Sequence, residues 1–261
     1  MGLRSASVVV TLGVAVALGF GAWWVLHDAA EPPGADQASA VRSGGVLRII
    51  TPVRIDGAID PALTEAGGAS WVLAFAVCGT LMSFRNDGAP GDNPVQPEAA
   101  AAMPTVSRDE RTYVFTLRPG LRFSDGRPLT AANFEAALDR LLDPAMRAYG
   151  ALLFADVKRV TADGRRLRIE LTRPAGDLVV RMALPYTCPV PVGLPAQATT
   201  PLIGSGPYSI VNHTPRRLVV ERNRHYAGPR PARLDGFVFT FADGGVEESV
   251  RAVGEGRADL L

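Results

Sequence analysis

Few residues in this 261-residue chain could do chemistry, and their spacing decides against most of it. Two cysteines, Cys78 and Cys188, and three histidines are too few soft ligands for a structural zinc site of the usual Cys/His kinds, so neither a metal nor a cofactor is expected. His213 and His225, the two histidines beyond the N-terminal stretch, lie in no H-E-x-x-H pattern and read as solvated or turn residues. Gly204-Ser205-Gly206 comes nearest to a reactive turn. It lacks the spacing of a G-x-S-x-G nucleophile elbow, and Pro207 keeps a helix from following it. As an anion cradle it lacks the lysine of a P-loop and the third glycine of a dinucleotide fingerprint, so a tight turn entering a strand at Tyr208 is the plainer reading. Glu247 and Glu248 belong to a solvated helix face, with Glu247 and Arg251 as an i, i+4 pair, not to an acid–base dyad. Asn212-His213-Thr214 matches a glycosylation sequon, which matters only in a host that modifies exported proteins. No catalytic residue is expected; a secreted hydrolase would have to be revived through Ser205.

The charge balance removes a further class. Twenty-seven Lys and Arg against 26 Asp and Glu leave a formal net charge of +1, without the basic excess that binds a phosphate backbone, so no nucleic-acid partner is expected. A hydrophobic fraction of 47% is enough to bury a core, and no internal repeat is present. Val8 to Leu26 is an uncharged apolar stretch behind Arg4, and it reads as an export signal. Its 19 residues would reach ~28 Å as a helix, close to a hydrocarbon core of ~30 Å, so an uncleaved anchor is an equal possibility. Cleavage at Ala38-Ser39-Ala40 and retention both place the remainder in the periplasm or on the outer face of the cytoplasmic membrane. Asp28 to Arg42, rich in Ala, Pro and acidic residues, reads as a flexible linker. In an oxidising compartment Cys78 and Cys188 are each other's available partner, 110 residues apart; the alternative is two buried thiols acting as small hydrophobes.

The elements that must position these residues follow from period and punctuation. Gly45 to Ile50 reads as a strand, and Ser70 to Phe84, a nearly continuous apolar run, as a buried helix. Arg85 to Pro97 is turn chemistry throughout. Tyr113, Phe115 and Leu117 mark the buried face of a strand; Thr130 caps a helix carrying Phe134, Leu138, Leu141 and Leu142 inward, which Pro144 stops. Asp163-Gly164 between two apolar runs predicts a hairpin, with Leu167, Ile169 and Leu171 on one face. Strands are expected at Tyr208 to Val211, Leu218 to Arg222 and Phe237 to Phe241, then a helix with Val246, Val250 and Val253 inward. The class is mixed α and β.

Four separated strings carry a resemblance. Gly44 to Leu63 (GGVLRIITPVRIDGAIDPAL) holds an Asp60-Pro61 turn. Arg111 to Pro144 holds Leu117-Arg118-Pro119-Gly120, Phe123-Ser124-Asp125-Gly126, Pro128-Leu129-Thr130-Ala131 and Asp143-Pro144. Gly204-Ser205-Gly206-Pro207-Tyr208 is followed by Val220-Glu221-Arg222-Asn223 and Tyr226, and Ala252 to Leu261 closes the set. In this order they resemble the extracytoplasmic solute-binding proteins of ABC importers, in the family with oligopeptide-, dipeptide- and nickel-binding members (family 5). The resemblance implies a periplasmic-binding-protein-like lobe I with an inserted subdomain. Residues 1–43 would then be leader and linker, 44–60 with 156–261 an incomplete lobe I, and 61–155 the subdomain.

The same resemblance implies a non-catalytic, monomeric protein that binds a small-molecule or peptide solute and meets an ABC permease in the membrane. Part of the cleft would lie at Gly68, Ala69, Ser70 and Trp71, and part around Arg147 and Tyr149. Trp71 would offer a stacking face and Arg147 a carboxylate clamp, against the plainer readings of a core tryptophan and a solvated helix end. Family members run about twice as long, so this sequence corresponds to their N-terminal portion, truncated before the second lobe, and the solute stays unnamed. The rival readings are a membrane-anchored interaction or sensory module without transport, and a nonfunctional remnant.

Overall fold

The computed structural model describes residues 43–55, 59–64, 66, 69–85, 94–196 and 203–261. The expected export segment and linker, and residues 86–93 of the expected turn, lie outside the described residues. The strands are β1 (Val46–Thr51), β2 (Met82–Phe84), β3 (Val95–Pro97), β4 (Thr105–Val106), β5 (Thr112–Thr116), β6 (Val157–Asp163), β7 (Arg166–Leu171), β8 (Tyr208–Thr214), β9 (Arg217–Arg222) and β10 (Gly236–Phe241). The helices are α1 (Ala69–Val77), α2 (Ala131–Leu142), the single turn α3 (Leu178–Arg181) and α4 (Gly245–Gly254), with short 3-10 segments between them.

Two four-stranded sheets organise the fold. In one, the order is β1-β10-β9-β8, with β1 parallel to β10 and the other pairs antiparallel. In the other, wholly antiparallel, the order is β4-β5-β7-β6. Tyr113, Phe115, Leu167, Ile169 and Leu171 face its core, and Arg166 and Arg168 face water, as strict alternation requires of a sheet covered on one side. The turn at Asp163-Gly164 closes β6 on β7 with Gly164 at φ +57°, a left-handed conformation that glycine adopts without a side-chain clash. This sheet draws strands from both sides of position 155, so the boundary expected there falls between strands that pair.

Helix α2 lies across β6 and β7 with Phe134, Leu138 and Leu141 buried, and Leu142 is only half-buried. Its start is fixed by Thr130, whose N–H donates to Asn133 Oδ1 at 2.9 Å, while Asn133 Nδ2 donates to the Val190 carbonyl. This is the capping-box arrangement with Asn in place of the usual Glu.

Three expectations change. The apolar run from Ser70 is helical only to Val77; Met82–Phe84 is a strand paired with Val95–Pro97, inside the expected turn. An unbroken apolar run has no period to separate helix from strand. On α4 the buried positions are Ser249 and Ala252, and Val246 and Val250 are more than half exposed. The small residues let the helix approach β1 closely, so Val246 and Val250 flank the contact, while Val253 is half-buried against Ile50 and Ala252 as expected.

Leu260 bridges in parallel to Ile49, alongside β1. Arg48 holds Asp259 there through its backbone N–H (2.8 Å), Nε (3.1 Å) and a second guanidinium nitrogen (2.6 Å). These bonds bring the Asp259 carboxyl down to about 2. Its folded pKa lies below the ordinary ~3.9, so its contribution to stability is complete above about pH 4 and is lost as pH falls through 2. A carboxyl-resolved NMR titration should place the Asp259 midpoint near 2, and Arg48→Gln should return it toward ~3.9.

Candidate functional site

The site is built on the first turns of α1. Upstream, Asp60 caps the 3-10 turn Pro61–Leu63 by accepting from Ala62 N–H at 3.0 Å, and its other oxygen pairs with Arg140 of α2. Both partners are largely buried, so the Asp-Pro turn is pinned to the helix beside it. Asp143-Pro144 repeats the cap before Arg147: Asp143 accepts from Ala145 N–H at 2.9 Å, and Arg147 leaves the turn at φ +49°.

Helix α1 carries no charge. Leu73, Ala74 and Val77 face the core, while Trp71 and Phe75, one turn apart, are half-buried on another side. Trp71 meets Phe75 edge-on at 5.5 Å between ring centres and Tyr186 at 4.7 Å, and Phe75 lies 6.2 Å from Phe84. Four aromatic rings thus form a row. Tyr186 comes from the 3-10 turn Pro185–Thr187, and two residues on, Cys188 is bonded to Cys78 just past the end of α1. A covalent link and a ring contact therefore hold the same two segments together.

The turn after α2 also lies against Tyr186. A Cβ at Gly150 would stand 2.5 Å from the Tyr186 ring, so glycine is needed for the backbone to lie against it. Tyr149 is 59% exposed and Arg147 is exposed, so both are open to solvent beside this contact. Ala69 and Ser70 begin α1, with Ser70 half-buried, and Gly68 lies outside the described residues. Of the residues expected to bind, Trp71 touches Tyr186, and Gly150, the neighbour of Tyr149, lies against the same ring. The residue that joins them, Tyr186, was not anticipated: its only signal is a Pro-Tyr-Thr-Cys string near the second cysteine.

A second unanticipated cluster is polar. Glu98 is 1% exposed, and its Oε1 accepts from Tyr226 Oη at 2.7 Å and from Arg230 Nε at 2.7 Å, with a further Arg230 nitrogen at 2.6 Å. The Arg230 guanidinium also donates to the carbonyls of Phe75 and Cys78. Burial pushes the Glu98 carboxyl up, against the pull of Arg230, and burial beside Glu98 pushes the Tyr226 phenol well up, so it stays a donor. Glu98 and Arg230 are 132 residues apart, a pairing that no local pattern discloses.

Gly204-Ser205-Gly206 is structural. Ser205 and Gly206 N–H both donate to the Val77 carbonyl (2.9 and 2.8 Å), and Ser205 Oγ accepts from Gly79 N–H at 2.9 Å. A Cβ on Gly204 or Gly206 would stand 2.5–2.7 Å from backbone oxygens of Val77 or Cys78, so both glycines serve close approach to the end of α1. His213 Nε2 donates to the Ile55 carbonyl and His225 lies in a turn against Gly126. Glu247 is exposed and Glu248 caps α4 by accepting from Gly244 N–H. Among the described residues no group of His, Cys, Asp and Glu is placed to hold a metal ion, and no helix is long and apolar enough to cross a membrane.

Residues 94–253 match the family model of the bacterial extracellular solute-binding proteins, family 5, middle region. Among curated proteins the chain is similar to protein XP55 of Streptomyces lividans, 33% identical over 149 residues covering 54% of this chain and 27% of that protein. It is similar to the probable peptide ABC transporter periplasmic-binding protein y4tO of Sinorhizobium fredii, 32% identical over 186 residues covering 68% of this chain and 33% of that one. Among solved structures the clavulanic acid biosynthesis oligopeptide binding protein 2 superposes with a TM-score of 0.74 at 29% identity, over 83% of this chain and 43% of that one. The chain therefore spans about a third of the curated relatives and under half of this structural neighbour. The mixed α/β fold is that of a periplasmic binding protein over the shared part.

Proposed function

We propose that this chain, which belongs to family 5 of the bacterial extracellular solute-binding proteins, is a non-catalytic, monomeric receptor on the outer side of the cytoplasmic membrane. Its aromatic floor at Trp71 and Tyr186 takes part of a peptide or small-molecule solute, which an ABC permease then receives. The observation that carries this reading is the half-buried Trp71 ring, seated at 4.7 Å on a buried tyrosine whose ring also lies against Gly150, next to the exposed Arg147 and Tyr149. An aromatic face with one polar rim recognises an apolar body ending in a carboxylate. The names of the relatives, a peptide transporter's binding protein and an oligopeptide-binding protein, support peptide as the solute class. Within the fold, we place leader and linker at 1–43 and the lobe I sheet on β1, β8, β9 and β10. The inserted subdomain continues through β7, because β5 and β7 pair.

Trp71 is the one tryptophan beyond the apolar N-terminal stretch, so its fluorescence reports on the floor. Titration with a di- and tripeptide library is expected to change that emission saturably. Trp71→Ala should weaken the best peptide at least tenfold while leaving the folded state intact by circular dichroism. No saturable response to any peptide from the longest form of the polypeptide made by its host would sink the reading.

A further inference from the structure

Beside Phe75 lies a cavity of about 290 Å³. Phe75, Phe84, Ala183 and Pro185 give it apolar walls, and Glu98 and Arg230 stand at one end. The polar end is unevenly satisfied. Tyr226 and Arg230 direct their donors to Glu98 Oε1. Oε2 accepts one hydrogen bond among the described residues, from Thr80 Oγ1 at 3.4 Å, and that hydroxyl is shared with the closer Met82 carbonyl at 2.5 Å. Oε2, on a residue 99% buried that lines the cavity, is thus held only by this long hydroxyl contact shared with a carbonyl. Such an oxygen is costly unless something supplies an N–H or O–H. The guanidinium of Arg230 directs most of its N–H groups to Glu98 and to the carbonyls of Phe75 and Cys78.

We propose that this cavity is a binding pocket for a compact ring bearing one neutral hydrogen-bond donor, a phenol or an indole, which donates to Glu98 Oε2 while Phe75 and Phe84 cover its faces. The volume fits: an apolar cavity of about 150 Å³ suffices for benzene, and drug-sized ligands need about 300–1,000 Å³, so one ring system fills this space. The charge fits as well, since a cationic donor would meet Arg230 and the Glu98–Arg230 pair is already neutral. The pocket shares Phe75 with the aromatic row that holds Trp71 but is not lined by Trp71 or Tyr186, and it does not depend on that floor binding a solute.

Ligand-observed NMR and calorimetry on the full chain, with phenol, indole, toluene and benzylammonium as probes, test it. Phenol and indole should bind saturably, phenol at least tenfold tighter than toluene, its near-isostere without a donor, and benzylammonium should not compete. Ala183→Leu, which fills the cavity without touching Glu98, should weaken phenol at least tenfold. Equal or tighter binding of toluene, benzylammonium binding, no saturable phenol binding, or a folded Ala183→Leu variant with unchanged phenol affinity would each overturn the assignment. None of these readouts uses a peptide, so they do not depend on the peptide titration at Trp71.

Discussion

Replacing both Cys78 and Cys188 with alanine is expected to lower stability by about 2–5 kcal/mol, the usual cost of removing a native disulfide. The bond closes a loop of 110 residues, for which the chain-entropy model alone gives roughly 4–5 kcal/mol through the unfolded state. Its folded-state setting argues for the full range, because Cys78 sits where α1 ends against the Gly204–Gly206 backbone and Cys188 follows the turn that carries Tyr186. Losing the bond leaves the Trp71–Tyr186 contact and the packing of α1 on Val190 to hold those two segments. Urea unfolding of the double variant should show the fall in midpoint, and its near-UV circular dichroism should lose the aromatic signal of the paired rings first. Both cysteine residues are almost fully buried, at 2% and 0% exposure, so mild reductant should act on the folded wild type only through opening. A loss under about 1 kcal/mol, well below the usual range, would mean that the bond is decorative.

What was legible in the sequence was what local physics determines. The 3.6-residue period from Phe134 to Leu141 and the Asp-Gly turn between β6 and β7 each specify themselves within a dozen residues, and both are found where expected. The cysteine pair was legible for another reason: with two cysteines in a chain expected to be exported, the compartment supplies the argument. The strand Met82–Phe84 was hidden because it continues an apolar helix without a change in composition, and its partner was hidden among Pro and Asn residues that read as turn. The inward face of α4 was misread because size, not hydrophobicity, selects Ser249 and Ala252 at a close helix–strand contact. At the candidate site, Trp71 and Tyr149 came from the family resemblance. Tyr186, Glu98 and Arg230 are joined to their partners only by the fold.

Arg230→Met is expected to cost more than any other single change at this end of the molecule, about 3–5 kcal/mol, because it strands the Glu98 carboxylate in the interior. Arg230 supplies two of the three close donors to Oε1, and its guanidinium also ties down two carbonyls at the end of α1. The cost should depend on pH. Burial already raises the Glu98 carboxyl and Arg230 opposes that rise, so removing the arginine raises it further. A carboxyl whose folded pKa lies above its unfolded ~4.3 favours the folded state fully below that value, and the advantage is lost as pH rises through the folded pKa. The Arg230→Met penalty should therefore be small near pH 4 and grow toward pH 8. Adding Glu98→Leu removes the stranded charge. A buried ion pair replaced by apolar residues of similar volume is often neutral or stabilising, so the double variant should recover most of the loss and show no pH dependence of this kind. Urea titrations of the two singles and the double across pH 4 to 8 complete the cycle. A pH-independent loss shared equally by Arg230→Met and the double variant would locate the stabilisation in the Arg230–carbonyl bonds and remove the ion pair from the account.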